Sequence, residues 1–373
     1  MGQKIRVILI GAIGALLLFV SAIALQKPQW KGTITREGDV VVVKNPKDPI
    51  YKDAILTFKE ELSIGGAEAK PEQSFVEVNQ IVIDEDENIY ILDPKQAQIK
   101  VFNKAGGYLR TIGRKGEGPG ELSQPTKMSL NPSRKELMVS DLIRRQLVYF
   151  ATDGKFLKNL STGKTWGVFG KADSAGNIVV TEAVVAPPEM KYALRKYDSH
   201  MNLIAELDTI KLETNQKIVN PFMPTPHWDI DKKDNIIYGN SKTYELRVFN
   251  SQNRLTRKII KEDDPVEVTE DEKKRVSQTK LPAGIKVELS RYRPAFATFV
   301  VDDEGRIFVL TWRRAADRGA HVYDIFDMDG RYLARQAMKA DPVAWKNRKM
   351  YSVEEDDEGY QIVKRYALTW AIQ

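Results

Sequence analysis

Arginine and tryptophan stand together where this chain leaves two of its β-runs. Trp312-Arg313-Arg314 follows one run and Arg144-Arg145 follows another. A guanidinium grips carboxylate or phosphate through paired N–H bonds, and Trp and Arg are enriched at recognition surfaces, so these residues suit the binding of an anionic group. Solvated loop charges and a packing indole explain the same residues without a ligand. His227 and Trp228 close a proline-stiffened apolar loop that begins at Pro221. That loop either lines a pocket or covers a sheet edge.

Residues equipped for catalysis are scarce. There is no cysteine, which removes disulfides, thiolate metal sites and cysteine nucleophiles. A three-histidine metal centre would need all of His200, His227 and His321 to converge from different parts of the chain. Asp84-x-Asp86-x-Asn88 opens like a calcium loop, but Ile89 stands where that loop needs glycine and Lys95 where it needs an acid. The motif predicts a polar turn. Gly116-x-Gly118-x-Gly120 invites comparison with a phosphate loop, yet prolines (Pro119, Pro125) accompany it and strand, not helix, follows. It predicts a structural connection. No catalytic residue, metal ligand or cofactor is assigned, although an all-oxygen calcium site stays open.

A repeat must position these residues. Six stretches share an acidic turn, a short β-run, a second turn, another β-run and a turn ending in Gly or Asn, most clearly in residues 83–113. One such unit cannot bury both its faces, whereas several around an axis can, and a period of about 40–50 residues with four short strands marks a β-propeller. The expected fold is an all-β six-bladed β-propeller over residues 36–373. Arg144 and Arg145 fall in the loop after the second strand of blade two, and Trp312, Arg313 and Arg314 in the matching place of blade five. The sixth copy lacks a fourth strand. Residues 54–63 resemble one and end at the turn Gly65-Gly66, so this N-terminal strand is expected to pair with the last blade and close the ring. The pattern breaks between residues 260 and 297. There Thr269 and Glu272 have capping-box spacing, residues 270–280 are helix formers and Pro282 is a stop, which predicts a short surface helix inserted before blade five.

Residues 88–93 (NIYILD), 112–122 (IGRKGEGPGEL), 322–330 (VYDIFDMDG), 363–368 (VKRYAL) and the opening segment 45–51 carry a family likeness. Through them nearly the whole chain beyond its first 25 residues resembles the exported six-bladed β-propeller proteins of bacteria, close to the NHL-repeat group. The resemblance implies six blades and export. It transfers no catalytic residue, because the family carries no general activity.

The first residues fit export. Residues 1–6 are basic, 7–20 apolar, and Ser21-Ala22-Ile23-Ala24 offers an A-x-A cleavage site. The apolar run 7–25 is also long enough to anchor in a bilayer. Residues 1–25 are therefore expected to be a signal peptide or membrane anchor, with the ring periplasmic or facing the periplasm and touching membrane only through that segment. Removing Lys4 and Arg6 from the net charge of +6 leaves +4, spread along the chain without a basic, aromatic-rich block. No nucleic-acid partner is expected, and the ring is expected to be a monomer. The function expected is an exported binding module without catalytic activity, with an unknown protein or small molecule as partner. The alternative is a metal-dependent, calcium-type lyase or hydrolase working at the central channel, which requires converging carboxylates or histidines.

Overall fold

The computed structural model describes residues 29–371 except 164–168, 187–188, 213–217, 279–283 and 285. The signal-or-anchor segment and the stop at Pro282 lie outside the described residues. Three strands come first: β1 (Thr33–Glu37), β2 (Val40–Asn45) and β3 (Leu56–Gly65). Blade one is β4 (Gln80–Ile83), β5 (Ile89–Asp93), β6 (Gln98–Phe102) and β7 (Tyr108–Ile112). Blade two is β8 (Pro125–Asn131), β9 (Glu136–Asp141), β10 (Gln146–Ala151) and β11 (Phe156–Ser161). Blade three is β12 (Phe169–Ala172), β13 (Ile178–Ala186), β14 (Glu189–Tyr197) and β15 (Leu203–Leu212). After the short β16 (Ile218–Val219), blade four is β17 (Pro226–Ile230), β18 (Ile236–Asn240), β19 (Glu245–Phe249) and β20 (Leu255–Lys261). Helix α1 (Glu270–Ser277) and β21 (Lys286–Val287) precede blade five, which is β22 (Thr298–Val301), β23 (Ile307–Arg314), β24 (His321–Phe326) and β25 (Tyr332–Met338). Blade six has β26 (Ala344–Lys346), β27 (Lys349–Glu355) and β28 (Gln361–Trp370).

Aspartate turns set the strand ends. Asp84 Oδ1 accepts the N–H groups of Asp86 and Asn88 at 2.9 and 2.8 Å, and its Oδ2 accepts Asn88 Nδ2 at 2.8 Å. The fourth residue of the turn, Glu87, is left-handed at φ 62°. Asp173, Asp231, Asp302, Asp327 and Asp356 each accept the N–H of the residue four positions on in the same way. Where glycine holds the fourth place, as at Gly305 and Gly330, it supplies the left-handed φ at no steric cost. The carboxylates that imitate a calcium loop are thus engaged by their own backbone, as the turn reading expects.

Second strands such as β5, β9 and β18 are covered on both faces, β5 along its whole length, so they read as nearly continuous apolar runs, whereas an outer strand such as β7 is mostly exposed. An apolar cluster fills every junction. Tyr90 and Phe150 join blades one and two. Tyr149 and Val180 join two and three, Val179 and Tyr238 three and four, and Leu246 and Val309 four and five. Phe308 and Met350 join five and six. Ile89 and Tyr351 join six back to one, so the ring is closed.

The predicted closure is present: β3 lies antiparallel to β28, with Ile64 opposite Val363. A second attachment is not visible in the sequence pattern. The β1–β2 hairpin extends blade four to six strands, with β2 parallel to β20. Between the two attachments, the Ile50 and Tyr51 N–H groups donate to the carbonyls of Tyr332 and Leu333 on the edge of blade five at 3.1 and 2.8 Å. Residues 33–65 therefore strap blades four, five and six. Two buried amides fasten the strap. Asn45, 2% exposed, donates to Gly330 O at 2.9 Å and accepts from Tyr332 N and Trp30 Nε1 at 2.8 and 2.9 Å. Gln336 accepts from Ile55 N and Leu56 N, both at 3.0 Å, and donates to Leu56 O at 2.8 Å.

The antiparallel order gives the ring two faces. Turns between first and second strands and between third and fourth strands lie on one, the turn face. Turns between second and third strands, and the links between blades, lie on the other, the loop face. The glycine-rich segment is such a link. Glu121 accepts from Gly118 N and Arg114 Nε, each at 2.8 Å, and a Cβ on Gly116 would collide with that carboxylate. Helix α1 also belongs to the loop face and carries the expected capping box of Thr269 and Glu272; none of its residues is buried.

Candidate binding surfaces

The Arg, Trp and His227 binding candidates lie on loop-face turns or on a strand that starts there, but they do not form one site. Blades two and five stand opposite each other in a ring of six, which keeps Arg144 and Arg145 across the axis from Trp312, Arg313 and Arg314. The Arg144 Nη1 is buried without a hydrogen-bond partner. Arg145 is exposed in the left-handed position of its turn, at φ 49°. Trp312 lies under the Arg293 guanidinium, 4.4 Å from ring centroid to Cζ, and Arg293 also covers Phe222 and pairs with Glu272 of α1. Arg313 pairs with Asp263 at 2.7 Å, and Arg314 is exposed at the end of β23. The His227 Nε2 lies 2.9 Å from Thr225 Oγ1, and burial pushes its pKa down to about 4, so the ring is neutral at pH 7. Trp228 packs into the junction of blades three and four.

Arg313 belongs to a charge network between blades four and five. Asp324 accepts from Tyr244 OH, Tyr332 OH and Arg335 Nε at 2.7, 2.6 and 2.7 Å. The Lys261 ammonium, fully buried, lies 3.2 Å from Asp263 and 3.5 Å from Asp324, between the rings of Tyr244 and Tyr332 at 4.8 and 4.9 Å. Burial pushes the Asp324 carboxyl up, but the Arg335 hydrogen bond and the Lys261 and Arg335 charges outweigh it, so it titrates below its ordinary range. These groups pair with one another across the blade junction, although the Arg313 Nε is buried without a hydrogen-bond partner.

The histidines are dispersed: His200 sits in a turn of the turn face, His227 on a first strand, and His321 pairs with Asp341 at 2.7 Å. Among the described residues no group of three or more His, Asp or Glu side chains is placed to hold a metal ion.

A cleft of about 980 Å³ opens instead on the turn face, where blades five and six meet the N-terminal strap. Its floor is apolar, from Ile50, Leu333 and Leu368, and its aromatic walls are Trp30, Tyr51 and Trp370. Three guanidiniums, Arg306, Arg331 and Arg348, line it with two carboxylates, Glu304 and Asp327. Arg306 lies 4.0 Å over the Trp370 ring while bound to Asp302 at 2.9 Å, and Arg331 lies 5.7 Å over Trp30. Burial raises the Asp327 carboxyl, only partly offset by the Arg331 N–H and charge. The two stacked arginines follow one local rule: Asp302-x-x-Gly305-Arg306 and Asp327-x-x-Gly330-Arg331 are the same turn, used twice in blade five. Reading the sequence for Arg-Trp neighbours misses them, because Trp30 and Trp370 approach from opposite ends of the chain. The repeated D-x-x-G-R spacing is the signal that could have found them.

A ring of six blades closed by an N-terminal strand, with a cleft beside that strand, defines a six-bladed β-propeller. The chain belongs to the DUF5128 family, described as 6-bladed beta-propeller, whose model matches residues 68–262. Among solved structures it is similar to a presumed exported protein of Bacteroides fragilis, at 13% identity and a TM-score of 0.59, over 89% of this chain and 100% of that one. It is also similar to a DUF4221-family member from Bacteroides vulgatus, at 11% identity and a TM-score of 0.53, over 85% of this chain and 99% of the other. Identities this low establish a shared fold and no shared activity. None of the curated proteins compared matches the chain.

Proposed function

We propose that the chain is an exported binding propeller whose ligand occupies the turn-face cleft between blades five and six. The basic, apolar and A-x-A order of residues 1–24 supports export, as does a fold shared with a presumed exported protein. The observation that carries the binding reading is the pair of Arg–Trp stacks lining one cleft. Such sites combine apolar walls with a few fixed polar groups, and they take a flat apolar or aromatic body bearing an anionic group. Arg331 is the receiving cation, because Arg306 and Arg348 already have carboxylates, Arg348 through Glu304 at 3.4 Å. Anilinonaphthalene sulfonate has this chemistry and reports binding by fluorescence. The purified chain should bind it at one saturable site, weakened about tenfold (about 1.4 kcal/mol) by Arg331→Ala or Trp370→Ala. Unsaturable binding, or saturable binding indifferent to both substitutions, contradicts the reading.

A further inference from the structure

The two Arg–Trp stacks of the cleft are supported in different ways. Arg306 is tied to Asp302 in its own turn, and Trp370 ends β28, where it pairs with Leu56 of β3. Arg331 and Trp30 share one support, the buried side chain of Asn45 at the end of β2. Its Oδ1 accepts the Trp30 indole N–H at 2.9 Å and the Tyr332 N–H at 2.8 Å. Its Nδ2 donates to Gly330 O at 2.9 Å and to Ile260 O at 3.3 Å. Gly330 and Tyr332 stand on either side of Arg331. One amide therefore grips the backbone that carries the guanidinium and also holds the indole beneath it. The ring has a second rest, since a Cβ on Gly32 would collide with it. An amide side chain offers two donors and one oxygen with two lone pairs, and all are used here. Asn45 cannot turn without releasing both halves of the stack.

We propose that Asn45, which does not itself line the cleft, positions the Arg331–Trp30 stack and so sets the affinity of the cleft. The inference rests on the cleft reading above and adds its regulation. The residue that fastens the strap to blade five also aligns the receiving cation, so docking of the strap and binding in the cleft are coupled. Such coupling is reciprocal: a ligand in the cleft holds the strap down as strongly as the docked strap favours the ligand.

The first test needs no ligand. The Trp30 indole N–H resonance is identified, among those of six tryptophans, by its loss in Trp30→Phe. It should exchange with solvent about tenfold faster in Asn45→Ala than in the unaltered chain, because its acceptor is gone. The second test uses anilinonaphthalene sulfonate, which Asn45→Ala should bind about tenfold more weakly. Adding Arg331→Ala should weaken binding little further, because both changes act through one stack, whereas adding Trp370→Ala should multiply the losses to about a hundredfold. Should the alanine variant not fold, the unaltered chain decides: the dye should slow exchange of the Tyr332 amide, which lies outside the cleft lining. If the unaltered chain does not bind the dye, the cleft reading fails, and the indole measurement alone still decides whether Asn45 holds Trp30. Equal indole exchange in both chains, dye affinity unchanged by Asn45→Ala, or no protection of Tyr332 by bound dye overturns the proposal.

Discussion

Single buried polar residues carry much of the fastening. Asn45 joins the strap to blades four and five through three hydrogen bonds, the weakest to Ile260 O at 3.3 Å, and accepts a fourth from Trp30. In the sequence it is merely the last residue of a β-run; its partners become visible only when strands far along the chain arrive beside it. Asn45→Ala leaves the Gly330 carbonyl and the Tyr332 N–H unpaired indoors, and should cost about 2–3 kcal/mol in urea unfolding. Asp324 makes a pH prediction. Its folded pKa is depressed below the ordinary 3.8, so the unfolded chain binds its proton more readily. Its contribution is therefore fully present above the unfolded value and is lost as pH falls through the folded one. Asp302 and Asp327, raised by burial against the pull of their turn N–H groups, act in the opposite direction. The comparison must then be with Asp324→Asn, whose unfolding free energy should rise less steeply with pH across the acid limb. Equal slopes would mean that Asp324 is not the group held low.

Elements were legible wherever their signals are local. The turn aspartates and the capping box each act within four residues, so the strands after Asp84 and the helix after Thr269 can be placed without tertiary information. The partner of β2 could not be, because parallel pairing with β20 leaves no mark in either strand's own pattern. The β1–β2 hairpin belongs to blade four, although it precedes the closing strand β3 directly in the chain. Helix α1 offers a test at this scale. Thr269→Ala should remove about 1 kcal/mol of helix stability and speed exchange of the α1 amides roughly fivefold. The global unfolding midpoint should hardly move, since no α1 residue is buried. A large global shift would show that α1 is coupled to the blade four and five junction through the Glu272–Arg293 pair.

At the scale of the whole molecule, the strap makes the ring a closed object with no free blade edge at the six-to-one junction. Its strands are unequal. β1 is exposed at every residue, whereas β3 carries Leu56 and Ile64 into two junction cores. Removing the chain through Glu37 should leave cooperative unfolding with a melting temperature within a few degrees of the intact ring. Removing it through Gly65 should abolish cooperative unfolding. The fold was readable because a propeller repeats its local rules six times; the cleft was not, because it gathers residues from both ends of the chain and from two turns of blade five. The loop-face residues Trp312 and Arg313, conspicuous in sequence, are held by Arg293 and Asp263. Hydrogen–deuterium exchange of the purified chain with and without anilinonaphthalene sulfonate separates the two faces most directly. The account predicts slower exchange in residues 302–306, 327–331 and 368–370. Protection confined to residues 144–145 and 312–314 would contradict it and move the binding site to the opposite face.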